Sequence, residues 1–266
     1  MGKYIIPFFY TFYTRTKGLG KKVAYLFTFI IPVLLYGLTS AYENEFSFIK
    51  VGIAIIIGLI GTMSIYEIGY IRNDVFTIKK EKKPTLRLER KELDYVEKNV
   101  RIILGAKYLI SLISIGIIFL LGFDYIQYII ALILIEIFYY IHNNIRGKKS
   151  ILSFFVLSTL RYITPLTVIH TNIWITVSVF ILMVTVSRTF EKAAEKKFKI
   201  SILEFVGTSI DVNILRGFYY LIVLLVILAQ YMMFKIPMVF VTLSIYYFIY
   251  RGLIACGYIV KQFKKH

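Results

Sequence analysis

The chain has 266 residues, of which 58% are hydrophobic, 17% aromatic and only 18% charged. Soluble domains average roughly 45–50% apolar and ~25% charged residues, so this composition excludes an ordinary soluble domain. Lys and Arg number 32 against 15 Asp and Glu, giving a net charge of +17, while 16 Gly, 5 Pro and 1 Cys exclude collagen-like, disordered and disulfide-scaffold classes.

Residues 1–20 come first. Their aromatic run 4–13 (YIIPFFYTFY) precedes Arg15, Lys17, Lys21 and Lys22, which reads as a segment lying at the membrane interface rather than a cleavable signal. Eight apolar stretches follow, near 23–41, 50–72, 102–122, 125–141, 151–169, 172–189, 212–234 and 237–259. A bilayer core of about 30 Å needs about 20 residues per helix, so nearly the whole chain lies in lipid. The expected architecture is a single all-α unit over 1–266, a polytopic membrane helical bundle with hydrophilic loops at 72–101 and 188–211.

Charge sorts those loops. The N-terminal segment carries five Lys or Arg, 72–107 eleven, 146–149 three, 188–199 five and the tail 261–265 three. Counting Arg161, Arg216 and Arg251, up to 30 of the 32 cations fall on one side, and only Lys50 and Lys235 on the other. The positive-inside rule then makes both termini cytoplasmic in the inner (plasma) membrane. Most of the +17 is therefore topology, and nucleic acid is not an expected partner.

Ionisable groups within spans are costly, and each is a functional candidate. Residues 66–81 read YEIGYIRNDVFTIKKE at the charged end of the second stretch. On a helix Glu67, Asn73, Asp74, Thr77 and Glu81 fall roughly on one stripe. At the matching end of the sixth stretch, Glu191 and Glu195 are spaced i, i+4 and would share a face. Two acidic clusters on one side of a bundle can face each other across a cavity, and such oxygen ligands suit Mg²⁺ completed by substrate phosphates. Lys192, Lys196 and Lys197 offer the same glutamates ordinary salt bridges. Glu136, well inside the fourth stretch, is expected to meet a cation such as Arg161 or Arg251. Three His and one Cys leave no basis for zinc or thiol chemistry, and Cys256 reads as packing.

The pattern resembles the UbiA-type prenyltransferase superfamily, whose second and sixth spans end in NDxxDxxxD and DxxxD motifs. Asn73 and Asp74 match outright, Glu81, Glu191 and Glu195 replace aspartates, and Thr77 stands where the family has its central acid. Lys83-Pro84-Thr85-Leu86-Arg87 resembles the basic run after the first motif; Tyr139, Tyr140 and Arg146 sit where the family has a Tyr…Lys segment, and Arg161 sits like its Arg in the fifth span. Nine spans are usual there, so eight or nine helices around a central cavity are expected. Trp174 with Ser187-Arg188-x-x-Glu191 is similar to the pattern of polyprenyl-phosphate phosphoribosyltransferases, with Ser187 in place of a Lys.

The resemblance implies a Mg²⁺-dependent transferase acting on an isoprenoid or polyprenyl lipid with diphosphate as leaving group. Asn73, Asp74, Glu81, Glu191 and Glu195 would hold the metal. Arg188, Arg161, Lys82, Lys83 and Arg87 would hold phosphate oxygens. Tyr66 and Tyr70 would face a developing cation, and Glu67 would order an acceptor or pair with an Arg. A soluble phosphoribosyl donor is the alternative second substrate. A transporter and a catalytically inactive relative are the competing classes. The richness in Ile, Lys, Tyr and Phe suits an AT-rich bacterial genome.

Overall fold

A computed structural model describes residues 1–80, 86–169, 171–203, 205–206 and 211–263. Among these every regular element is helical. The N-terminal segment forms two short helices, α1 (Gly2–Ile5) and α2 (Phe9–Thr14). Long apolar helices follow as α3 (Leu19–Glu43) and α4 (Phe48–Thr77), then the polar α5 (Arg90–Lys98), α6 (Val100–Leu120) and α7 (Tyr125–Asn144). After them come α8 (Lys149–Ile163), α9 (Ile173–Ala193), α10 (Val212–Phe234) and α11 (Met238–Phe263). Seven of these, α3, α4, α6, α7, α9, α10 and α11, are long and apolar enough to cross a membrane, so the chain is a multi-pass helical membrane protein.

The fifth expected span differs. Helix α8 has 15 residues, and a 3₁₀ turn through Pro165 (Thr164–Leu166) ends it, because proline cannot continue the hydrogen-bond ladder. Fifteen residues rise about 22 Å, short of a full hydrocarbon core. Its last seven residues are all buried, so the second half of α8 is enclosed by the other helices, while its first half keeps exposed residues such as Leu152.

Three of the long helices contain one π-helical turn each, at Leu26–Ile30, Asn73–Thr77 and Ile181–Thr185. A π turn leaves backbone carbonyls without the usual i+4 donor, and such turns cluster at functional positions. In the first and third of these turns tyrosine hydroxyls fill that role. Those of Tyr162 and Tyr247 donate to the Thr28 carbonyl at 2.7 and 3.1 Å, and those of Tyr219 and Tyr220 donate to the carbonyls of Leu182 and Met183 at 2.5 and 2.6 Å. Part of the tyrosine content is thus structural: the ring packs in the apolar bundle and its hydroxyl pairs a displaced carbonyl.

The N-terminal segment docks into the protein, burying Tyr4, Tyr10, Thr11 and Thr14 against the charged end of the bundle. Tyr4 and Tyr10 join Ile71, Val75, Leu88, Val96 and Ile103 in a second apolar cluster. An interfacial resting place explained its aromatics from sequence. The structure adds polar anchors: Lys3 Nζ meets Glu92 at 2.8 Å, and the Tyr13 hydroxyl donates to the same carboxylate. Burial alone would raise the Glu92 pKa, but bonds from Lys3 and Tyr13 outweigh it and hold it below the usual carboxylate value. A depressed folded pKa gives stability that is present above the unfolded value and lost as pH falls through the folded one. Hydrogen exchange of residues 2–14 is therefore expected to hold steady, after correction for intrinsic rates, from neutral pH down to the ordinary glutamate value of about 4.3 and to accelerate only below it. Glu92→Gln should lose part of that protection already at neutral pH and respond less to acid; an unchanged acid response in Glu92→Gln would remove Glu92 from this role.

Candidate functional site: a cationic cavity in the bundle

Ion pairs decide where the acids of the two motifs point. Asp74, buried in the π turn of α4, accepts two bonds from Arg15 at 2.8 and 2.9 Å and one from the Tyr10 hydroxyl at 2.8 Å. Burial opposes the Arg15 charge, but Asp74 more than compensates and leaves the guanidinium pKa above its ordinary value. Burial and then the Asp74 charge push the Tyr10 phenol up. Asn73 Nδ2 lies 3.4 Å from Asp74 Oδ1, and Thr77 Oγ1 turns back to the Arg72 carbonyl at 3.5 Å. Glu67 is wholly buried, held by Lys107 at 2.6 Å and by the Thr11 backbone N–H at 2.7 Å. Glu136 pairs with Arg72 at 2.8 Å and accepts from the Tyr108 hydroxyl at 2.7 Å, not with Arg161 or Arg251, because α7 packs beside α4 and α6.

The glutamates of the second motif part company. Helix α9 ends at Ala193, so Glu195 leaves the face it would share with Glu191 on an uninterrupted helix. Glu191 takes a two-pronged bond from Arg216 of α10, both contacts 2.5 Å, and Glu195 pairs with Lys192 and Lys197 at 2.8 and 2.7 Å. Each described acid of the two motifs thus carries its own cation, and among the described residues no three acids, histidines or cysteines converge as a metal-binding group. As arranged, these residues do not fit a shared divalent cation. Glu81, the other expected metal ligand, and Lys82 and Lys83, expected on phosphate oxygens, lie outside the described residues.

What does converge is positive charge. A cavity of about 470 Å³ opens between α3, α8, α9, α10 and α11, lined by Lys21, Arg161, Arg188, Arg216, Arg251 and Glu191 among tyrosines 25, 162, 220 and 247. Glu191 answers one arginine, Arg216. Among the described residues Arg161, Arg188 and Arg251 have no carboxylate partner, and the Nε atoms of Arg161 and Arg251 are buried without any acceptor. Arg161 is only 5% exposed. Its Cζ lies 4.6, 4.4 and 5.3 Å from the ring centres of Tyr25, Phe29 and Tyr66, so its charge rests on aromatic faces. Arg188 Nη1 donates one long hydrogen bond, 3.4 Å, to the Tyr162 hydroxyl oxygen.

Tyr66 and Tyr70 join the cavity to the first motif. Their ring centres are 5.4 Å apart, Tyr66 faces Arg161, and Tyr70 lies 4.3 Å from the Arg15 guanidinium that holds Asp74. Tyr139 completes the cluster, 4.7 Å from Tyr66. Its ring lies so close to Gly69 that a Cβ there would meet it at 2.2 Å, a contact only glycine permits. Both rings assigned to a developing cation therefore face resident guanidinium groups. Arg87 lines a different cavity, with Asn73, Arg146, Lys192 and Lys197. Burial lowers its pKa, and nearby Arg15 lowers it further.

Of the substrate-binding residues expected from sequence, Arg161 and Arg188 line the cationic cavity; Lys21 and Arg216, expected only as topology charges, and Arg251, expected as one or as a partner for Glu136, line it too. Arg216 and Arg251 carried a usable signal, since each is a charge inside an apolar run. Compared with family models, curated proteins and solved structures, the chain finds no match.

Proposed function

We propose that the chain is an intramembrane transferase of the UbiA prenyltransferase type, acting on an isoprenoid or polyprenyl substrate with diphosphate as leaving group. The observation that carries this reading is the set of three guanidinium groups in one cavity, Arg161, Arg188 and Arg251, without carboxylate partners among the described residues. Partnerless buried cations are costly unless an anion completes them. Guanidinium forks hold phosphate oxygens by paired bonds, and in a water-poor site they stabilise charge gathering on a leaving diphosphate. The tyrosine faces around them supply a surface on which a carbocationic centre is stabilised. In this reading α8 and the turn after it form the eighth crossing, the charged end with both termini faces the cytoplasm, and the first-motif acids with the docked N-terminal segment form one wall beside the site.

The described acids as arranged do not fit a metal centre, so the cationic cavity carries the reading on its own. The test uses purified protein in lipid nanodiscs with labelled polyprenyl diphosphate plus candidate acceptors, or polyprenyl phosphate plus a phosphoribosyl donor. Diphosphate release should fall about 100-fold in Arg188→Ala, the cost of one charge-assisted contact in a dry site. Running the assay with Mg²⁺ or with excess chelator reads the metal requirement implied by the motifs. Release unaffected by Arg188→Ala, or none with any donor and acceptor pair, would overturn the assignment.

A further inference from the structure

The cation that answers Asp74 comes from outside the long helices. Arg15 stands just past the end of α2, next to Thr14, in the docked N-terminal segment. Glu67 and Asp74 are seven residues apart on α4, about two helical turns, and so share a face. The segment grips both. One Glu67 oxygen accepts from the Thr11 N–H, and the other takes Lys107, which also donates to the Ile5 carbonyl. One Asp74 oxygen accepts from Arg15 and Tyr10 together, and the second accepts from Arg15. Both oxygens of each carboxylate are thus engaged by groups of this chain. A Mg²⁺-like ion needs near-octahedral oxygen ligation. At Asp74 it would have to expel a two-pronged guanidinium and a phenol. The Arg15 side chain, 12% exposed, would then lose its carboxylate while still inside the protein. Arg15 also rests 4.3 Å from the Tyr70 ring, which packs on Tyr66, and Thr16 and Lys21 just beyond it line the cationic cavity. The tethered charge stands where the first motif meets that cavity.

We propose that Arg15 is the resident cation of the first motif. It fills, from within the chain, the place that the motif's resemblance would give a divalent ion, so Asp74 takes no metal and the wall beside the cavity is complete before any ligand arrives. A guanidinium suits the task, because its planar fork matches both carboxylate oxygens and it stays charged at every physiological pH. Arg15 is a positioning residue: it acts through Asp74 and Tyr70. The consequence for catalysis rests on the transferase reading given above. Transfer draws its positive charge from Arg161, Arg188 and Arg251 and needs no divalent ion at Asp74.

Mn²⁺ is the probe, since electron paramagnetic resonance counts its free form and reads binding without turnover. The full chain in phosphatidylcholine nanodiscs should show no Mn²⁺ site that Asp74→Asn removes. Arg15→Met frees Asp74 from the fork and should bind Mn²⁺ about tenfold or more tightly than wild type, a gain that Asp74→Asn in the same background abolishes. Arg15→Lys keeps the charge and should gain no site. Mn²⁺ should raise the thermal midpoint of Arg15→Met and leave that of wild type where it is. A wild-type Mn²⁺ site lost in Asp74→Asn would overturn the proposal, and that comparison decides even where Arg15→Met does not fold. A folded Arg15→Met protein that gains no Mn²⁺ site would overturn it too. Diphosphate release separates this inference from the transferase reading. Release that persists in excess chelator supports both. Release that stops in chelator and returns with Mg²⁺ would overturn the resident cation and leave the transferase standing. No release under any condition, with Mn²⁺ binding as expected, would overturn the transferase and leave Arg15 in its role.

Discussion

Arg161→Met is expected to make the protein more stable and unable to bind its anion. Methionine keeps much of the side-chain volume and still packs on Tyr25, Phe29 and Tyr66, while removing a buried charge with no carboxylate partner among the described residues and no acceptor for its Nε. The effective desolvation penalty for such an ion is on the order of several kcal/mol, and cation–π contacts return roughly 2 kcal/mol when desolvated. The balance favours the apolar replacement, and a net gain of about 1 kcal/mol raises the thermal midpoint by about 3 °C in a chain of this size. Binding of a polyprenyl phosphate should fall by about 100-fold, the worth of one charge-assisted contact in a dry site. Thermal midpoint and lipid-phosphate affinity, measured in the same detergent, check both halves. A destabilised variant that still binds would show that Arg161 is a packing residue and the cavity is not its purpose.

Lys107→Met should do the opposite. The Lys107–Glu67 pair is 0% exposed on both sides, and Lys107 Nζ also donates to the Ile5 carbonyl at 3.2 Å. Removing the lysine strands a carboxylate in the bundle and detaches one anchor of the N-terminal segment, at a cost of about 3–5 kcal/mol. Adding Glu67→Gln removes the stranded charge while its amide oxygen can still accept from the Thr11 N–H, so the double variant should recover most of the loss. Inactivation half-lives at fixed temperature across the four proteins give the coupling. Additive losses would mean that the two groups do not act as a pair.

Sequence and structure agree most where burial dictates the pattern. Long apolar runs can only be helices in a bilayer, because every backbone polar group must be satisfied within the segment. Six of the stretches named from sequence end within about four residues of the helices observed, an ordinary error for element boundaries. The exceptions have local causes. Pro165 cuts α8 short, and the π turn at Asn73–Thr77 carries the second stretch past its expected end at 72.

The site was half legible. Acids inside or beside apolar runs stood out, as did Arg161 and Arg188. Their partners did not, because ion pairs here span distant chain positions: Arg15 with Asp74, Lys107 with Glu67, Arg216 with Glu191. A motif shows which side chains carry charge. It does not show whether a cation supplied by another helix already neutralises them. Counting arginines as topology markers hid Arg216 and Arg251 for the same reason, since a cation near the charged end of a span satisfies the charge rule and lines a cavity at once.

The wide turn in α9 has a consequence for how such a surface can change. A π turn holds one residue more than the α-helix around it, and each residue advances the helix by about 100°. The stretch beyond Thr185 is therefore rotated as a block relative to the stretch before it, and that block carries Arg188 and Glu191. With one residue fewer at this turn, the same side chains in the same order would swing about a quarter-turn away from the cavity. Where the charges of α9 point is thus stored in residue number as well as identity, so a one-residue insertion or deletion could create or erase the site while leaving composition, hydropathy and topology as they are.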